Sequence, residues 1–169
     1  MTVLPVGTRR RMMRHPRGWI AAGFGAGFSP WAPGTVGSLV AIIPWWLWLR
    51  HLPAADYFGA LLLAFLIGIW AANWVIRESR IQDPSLVVWD EFVGMWLVLW
   101  AVPAEWPWVL GAFVLFRALD VAKPWPVGWA DRKLKGGFGT MADDVLAGAI
   151  GLAVMVALVA LVPWLWPSV

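Results

Sequence analysis

The sequence predicts an all-α, polytopic membrane helical bundle with about four to five membrane helices and a site at its cytoplasmic face. Three observations carry this prediction. Of 169 residues, 61% are hydrophobic and only 14% charged, against roughly a quarter charged in soluble domains, and mean hydropathy is +0.71. Apolar runs of near-spanning length recur along the chain, where crossing a hydrocarbon core of about 30 Å takes roughly 20 helical residues. Sixteen tryptophans stand against one tyrosine, which fits the aromatic belts of membrane interfaces. The length suits one domain: a basic arm (1–17), a single helical membrane domain (18–163) and a short tail (164–169).

Five runs account for the helices. Ser38 to Leu52 is short, Trp-rich and interrupted by Pro44, while Tyr57 to Ile76 is the clearest span. Phe92 to Val102 reaches spanning length only from near Leu86, which puts Asp90 and Glu91 in its first turn. Pro107 to Ala122 ends close to Arg117 and Asp120, and Met141 to Val162 is long and rich in Ala, Val and Leu. Pro, Gly and acidic residues mark connections at 28–37, 53–56, 77–89, 103–106 and 123–140. No internal repeat or low-complexity tract is present.

The amino-terminal arginines, Arg9, Arg10, Arg11, Arg14 and Arg17, precede a glycine-rich apolar run from Trp19 to Phe28. Without a small-x-small cleavage site, the arm reads as a cytoplasmic anchor for anionic head groups rather than a secretory signal. Placing it inside fixes the remaining topology by alternation. Of the 13 Lys and Arg, only Arg50 then falls outside. Among the acids, Glu78, Asp83, Asp90, Glu91, Asp120, Asp131, Asp143 and Asp144 fall inside, and Asp56 and Glu105 outside. Acids contribute little to orientation, so their gathering at one face points to a site handling a metal ion and a phosphate.

No cysteine is present, which excludes disulfides, thiolate nucleophiles and cysteine-ligated zinc or iron–sulfur centres. His15 and His51 alone are too few for a multi-histidine metal site. Chemistry rests on carboxylates, Lys, Arg, hydroxyls and backbone. The net charge of +3 averages acids with bases at the same face, so nucleic acid is not an expected partner.

Asp90-Glu91 and Asp143-Asp144 each start an inward-to-outward helix, with Thr140 the expected N-cap of the last. Acids there can simply complement the helix dipole. Asp120, near a helix C-terminus, opposes the dipole, and an ionisable group in a span is a functional signal; Arg117, one turn earlier, can neutralise it. Five carboxylates from three helices form a hard oxygen donor set suited to Mg²⁺, Mn²⁺ or Ca²⁺. Thr35 and Ser38, in a glycine-rich segment, are candidate cap or phosphate donors; Gly23, Gly25 and Gly27 serve either close packing or binding. Lys123, directed by Pro124, and Arg132 are candidate phosphate contacts, whereas Lys133 and Lys135 read equally as positive-inside anchors. Asn73, Arg77 and Arg80 share a face at the inner end of the second span, and Trp108, Trp125, Trp129, Trp164 and Trp166 read as interface anchors.

Four motifs in order resemble the phosphatidylglycerophosphatase A family. They are Ser29-Pro30-x-x-Pro33-Gly34-Thr35-x-Gly37-Ser38, Trp89-Asp90-Glu91-Phe92-Val93-Gly94, Phe116-Arg117-x-x-Asp120-x-x-Lys123-Pro124-Trp125-Pro126, and Asp131-Arg132 through Gly136-Gly137-x-Gly139-x-Met141-x-Asp143-Asp144-x-x-Ala147-Gly148. The resemblance runs from about Gly23 to Gly151. It implies an all-α, Mg²⁺-dependent enzyme of the bacterial inner membrane that removes the terminal phosphate of phosphatidylglycerophosphate. Carried onto this chain, Asp90, Glu91, Asp120, Asp143 and Asp144 are the expected metal ligands and, with Lys123, the catalytic residues. Ser29, Thr35, Ser38, Arg117, Lys123, Asp131 and Arg132 are the expected substrate contacts.

The nucleophile is either an activated water or one of the aspartates. Two other classes use similar acids. A lipid-metal transferase is one, although Asp143-Asp144-Val145-Leu146-Ala147 lacks the third aspartate of the prenyl pattern. A divalent-cation carrier is the other, although the outer half offers only Arg50, His51, Asp56 and Glu105 along a path.

Overall fold

A computed structural model describes residues 6–165 and is helical throughout, with no strand among the described residues. Calls on 1–5 of the arm, and on Trp166 with the end of the tail, lie outside that range. The helices are α1 (Val6–Met12), α2 (Pro16–Ala21), α3 (Pro33–Leu47), α4 (Ala54–Ser79), α5 (Trp89–Leu99), α6 (Trp106–Ala122), α7 (Val127–Lys133) and α8 (Gly136–Leu165). Short 3₁₀ turns cover Gly23–Phe28 and Leu49–His51.

Three expected boundaries move. The first span begins at Pro33, not Ser38, because proline is pre-set for the first helical position. The 123–140 connection contains α7, and the last helix starts at Gly136 rather than Met141. Thr140 is therefore not an N-cap. It lies one turn inside α8, where its hydroxyl donates to the Gly136 carbonyl at 3.2 Å. Asn73 on α4 takes the capping part instead, its Oδ1 accepting the Gly137 N–H at 2.8 Å.

The short α5 is the centre of the molecule. Nine of its 11 residues are buried, enclosed by α3, α4, α6 and α8. Its tryptophans fix its height, since a buried indole N–H needs an acceptor. Trp89 Nε1 donates to the Ala64 carbonyl on α4 at 2.8 Å, and Trp96 Nε1 to the Ala41 carbonyl on α3 at 2.7 Å. At about 1.5 Å per residue, α5 is about half the thickness of a bilayer core.

Two helices, α4 and α8, are long and apolar enough to cross a membrane. They are not covered like the core helices of a soluble protein: Leu62, Leu63 and Leu66 on α4 and Val154, Val156 and Leu158 on α8 are exposed. Leu39 and Ile43 on α3 and Leu110 and Val114 on α6 are exposed as well. The arm folds back on the C-terminal end of α4, with the His15 ring stacked on Trp74 at 4.2 Å and Arg11 paired with Glu78 at 3.0 Å.

Candidate functional site

One close helix contact assembles the carboxylates. A Cβ on Gly148 of α8 would stand 2.6 Å from the Gly94 carbonyl oxygen of α5, so the two backbones touch at that point. Gly94 is four residues after Asp90, and Gly148 four after Asp144, so each glycine sits one turn beneath an aspartate on the same face. Glycine at the crossing thus brings the aspartates together. One oxygen each of Asp90, Glu91 and Asp144 lies within 4.8 Å of the others. Asp90 is 8% exposed and Asp144 only 4%.

Asp143 and Asp144 are two turns into α8, beyond the first turn where a carboxylate caps free N–H groups. Their placement therefore answers to the cavity and not to the helix end. Asp90 and Glu91 are in the first turn of α5, where Asp90 Oδ1 accepts the Glu91 N–H at 3.1 Å. Asp120 arrives from the last turn of α6.

Cations hold the rim. Arg117 Nη1 lies 2.6 Å from Asp120 Oδ2 and 3.9 Å from Glu91 Oε1, and donates to Ser38 Oγ at 3.4 Å. A Cβ on Gly34 would collide with Glu91 Oε1 and sit 3.3 Å from the Arg117 guanidinium, so the absent side chain makes room for this pair. Lys123 ends α6 with φ 45°, a left-handed conformation that costs a non-glycine residue on the order of 1 kcal/mol. There its ammonium pairs with Asp131 and, at 2.8 Å, with Asp143. Burial alone pulls the Lys123 pKa down; hydrogen bonds to Asp131 and Asp143 outweigh it and hold the ammonium above the usual lysine range.

These groups line one cavity of about 430 Å³, within the range of small-molecule sites. Its wall carries seven carboxylates against three cations, Arg117, Lys123 and Lys135. Buried Glu91 Oε2, Asp144 Oδ2 and Arg117 Nε have no hydrogen-bond partner among the described residues. Leaving a buried polar atom unpaired costs about 1–3 kcal/mol, more for a charge. A divalent cation fits this donor set: it would meet the orphaned oxygens and offset the negative excess, and the all-oxygen ligands suit Mg²⁺.

All five expected metal ligands line the cavity, as do Thr35, Arg117, Lys123 and Asp131. The first turn of α3 adds backbone, because Ala32 provides no side-chain cap to the N–H groups of Gly34 and Thr35. Ser38 sits behind the wall, bridging the Gly34 carbonyl at 2.9 Å and Arg117. Ser29 and Arg132 are not brought to it. Ser29 closes a local turn with Trp31, and Arg132 lies over Gly128 of its own helix. Gly23, Gly25 and Gly27 pack against Phe92, Trp19 and Leu86. Gln82, Asp83, Ser85, Lys135 and Thr140 also line the cavity; in the sequence Asp83 is legible only as one of the gathered acids, Lys135 as a loop cation and Thr140 as a cap, and Gln82 and Ser85 carry no signal beyond their place in a connection on the same side.

A model of the phosphatidylglycerophosphatase A family matches residues 19–159. The Escherichia coli phosphatidylglycerophosphatase A is 42% identical over 160 residues, 92% of each chain. Its Haemophilus influenzae counterpart is 41% identical over 140 residues, 82% of this chain and 86% of the relative. A candidate phosphatidylinositol-3-phosphatase of Bacteroides thetaiotaomicron is 48% identical over 136 residues, 76% of this chain and 84% of the relative. No solved structure matches the chain.

Proposed function

The chain belongs to the phosphatidylglycerophosphatase A family, and on that premise we propose that it hydrolyses phosphatidylglycerophosphate to phosphatidylglycerol and phosphate, with Mg²⁺, at the cytoplasmic face of a bacterial inner membrane. The observation that carries this reading is the largely buried, partly unpaired trio Asp90, Glu91 and Asp144 opening on a cavity rimmed by Arg117 and Lys123. The trio would hold the ion, with Asp120 and Asp143 beside it. Bound there, Mg²⁺ supplies Lewis-acid stabilisation of phosphate oxygens and acidifies water.

The protein's own groups do the rest. Arg117, locked by Asp120 and Ser38, keeps a guanidinium aimed at the phosphate as charge builds on it. Lys123, held charged by Asp131 and Asp143, stands on the same wall. The free N–H groups at the start of α3 add a dipole favourable to an anion. The exposed apolar faces of α3, α4, α6 and α8 support a multi-pass placement in which the head group enters the cavity and the acyl chains stay in lipid.

The test is phosphate release by purified protein from phosphatidylglycerophosphate in detergent micelles, with and without a chelator. Release that requires Mg²⁺ and is lost in Asp144→Asn with helix content intact supports the reading. Full turnover by that variant overturns the site. Release only from phosphatidylinositol 3-phosphate would move the substrate to the head group named for the Bacteroides relative. No release from any phospholipid would favour a transferase or a carrier.

A further inference from the structure

The cavity holds more room and more charge than one phosphate needs. Its three cations are not equivalent. Arg117 and Lys123 are each engaged by two carboxylates, whereas Lys135 makes no ion pair among the described residues, although it lines the same cavity. A cation left free on a wall with so many acids is available to an incoming anion.

The backbone around Lys135 is set firmly. Leu134 ends α7 in an extended conformation, and Gly136 follows with φ 68°, a left-handed conformation that favours glycine. The next N–H is held by Asn73 at 2.8 Å, and Gly137 is pressed against the Ile69 carbonyl of α4. The side chain therefore starts from a fixed point on the cavity wall, while Lys133, two residues earlier and equally exposed, is off that wall. Gln82 and Ser85 line the same cavity and supply uncharged polar groups with no side-chain hydrogen bond among the described residues.

We propose that Lys135 is a specificity-determining residue that binds the second anion of the substrate, the phosphodiester linking head group to glycerolipid, while the carboxylate trio, Arg117 and Lys123 serve the phosphate to be released. Gln82 and Ser85 face the head-group hydroxyl between the two. This deepens the assignment of the site as a phosphatidylglycerophosphate phosphatase and rests on it. Selectivity then follows from chemistry: a lipid with two phosphates one glycerol apart engages both ends of the cavity, and inorganic phosphate engages one.

The experiment compares Lys135→Gln, Lys135→Arg and Lys133→Gln with the unaltered protein, measuring kcat and KM for phosphatidylglycerophosphate in mixed micelles and the inhibition constant of inorganic phosphate. Lys135→Gln is expected to raise KM about tenfold, the order carried by one charge-assisted contact, with kcat and phosphate inhibition unchanged. Lys135→Arg restores KM, and Lys133→Gln, which removes the same charge from the same loop, leaves it unaltered. An equal weakening of lipid and inorganic phosphate would assign Lys135 to the scissile phosphate and overturn the proposal, as would an unchanged KM or an equal effect of Lys133→Gln. Failure of the unaltered protein to release phosphate from this lipid would instead remove the functional assignment and the proposal with it.

Discussion

Lys123 Nζ lies 2.8 Å from Asp143 Oδ2, tying the end of α6 to the second turn of α8 across the rim of the cavity. The lysine holds a left-handed backbone conformation to make this contact, so the pair is bought with local strain. Lys123→Met leaves Asp143, 9% exposed at its side chain, without its cation. The expected result is a fall in kcat of about a hundred- to a thousandfold and a loss of about 1–3 kcal/mol of stability. Turnover and thermal unfolding in the same detergent check both; unaltered turnover would remove Lys123 from the chemistry.

The Gly94–Gly148 crossing predicts a steric sensitivity. Alanine at Gly148 puts its Cβ 2.6 Å from the Gly94 carbonyl, and alanine at Gly94 puts one 2.7 Å from the Asp144 carbonyl. Either change spreads α5 from α8 and costs about 1–3 kcal/mol, and both reduce activity by moving the aspartates apart. Gly111→Ala, on an open face of α6 with nothing within 4 Å, gains roughly 0.5–1 kcal/mol from helix propensity. Equal stability for all three variants would mean the helices do not touch there.

Metal should stabilise the fold through the acidic trio. At about a hundred times its Kd, a ligand that binds only the folded state adds about 2.7 kcal/mol, which for a chain of this size is a rise in Tm of roughly 5–10 °C. Mg²⁺ is expected to give such a rise with the unaltered protein and little with Asp144→Asn. In chelator, Asp144→Asn melts above the unaltered protein, because one buried like charge is gone. A chelator-insensitive Tm in both proteins would argue against a metal at this site.

The absence of cysteine makes single-cysteine labelling a direct test of sidedness. His51→Cys, at the turn between α3 and α4, and Lys133→Cys, between α6 and α8, are both exposed positions. In intact cells an impermeant maleimide should label the first only, and in inverted vesicles the second only. Labelling of Lys133→Cys in intact cells would exclude the cytoplasmic placement of the site, and labelling of both from one side would exclude the alternation of the spans.

Much of the site was legible as residue types. Asp120 stood out because a carboxylate at a helix C-terminus is electrostatically misplaced, and Arg117 because it lies one turn before it. Ser29 and Arg132 shared motifs with true cavity residues yet lie off the wall, since a motif records proximity along the chain and not direction. Lys135 was indistinguishable from Lys133 for the same reason. Asp143 and Asp144 looked like capping residues because the helix start was set at Thr140; Asn73, 64 residues away, supplies the cap to Gly137 instead, and no local pattern carries such a contact.

The sequence by itself narrowed the surroundings and the chemistry: too little charge for a fully wetted surface, no cysteine, scarce histidine, and five carboxylates in motifs shared with lysines and arginines. These follow from composition and period, which are properties of the chain. Tertiary structure alone decided that the acids face one another. It did so by crossing α5 and α8 at Gly94 and Gly148, where the lack of a side chain lets two backbones meet. It also decided which cations are spent on carboxylates and which is free, because pairing depends on distances between helices that no spacing along the chain encodes.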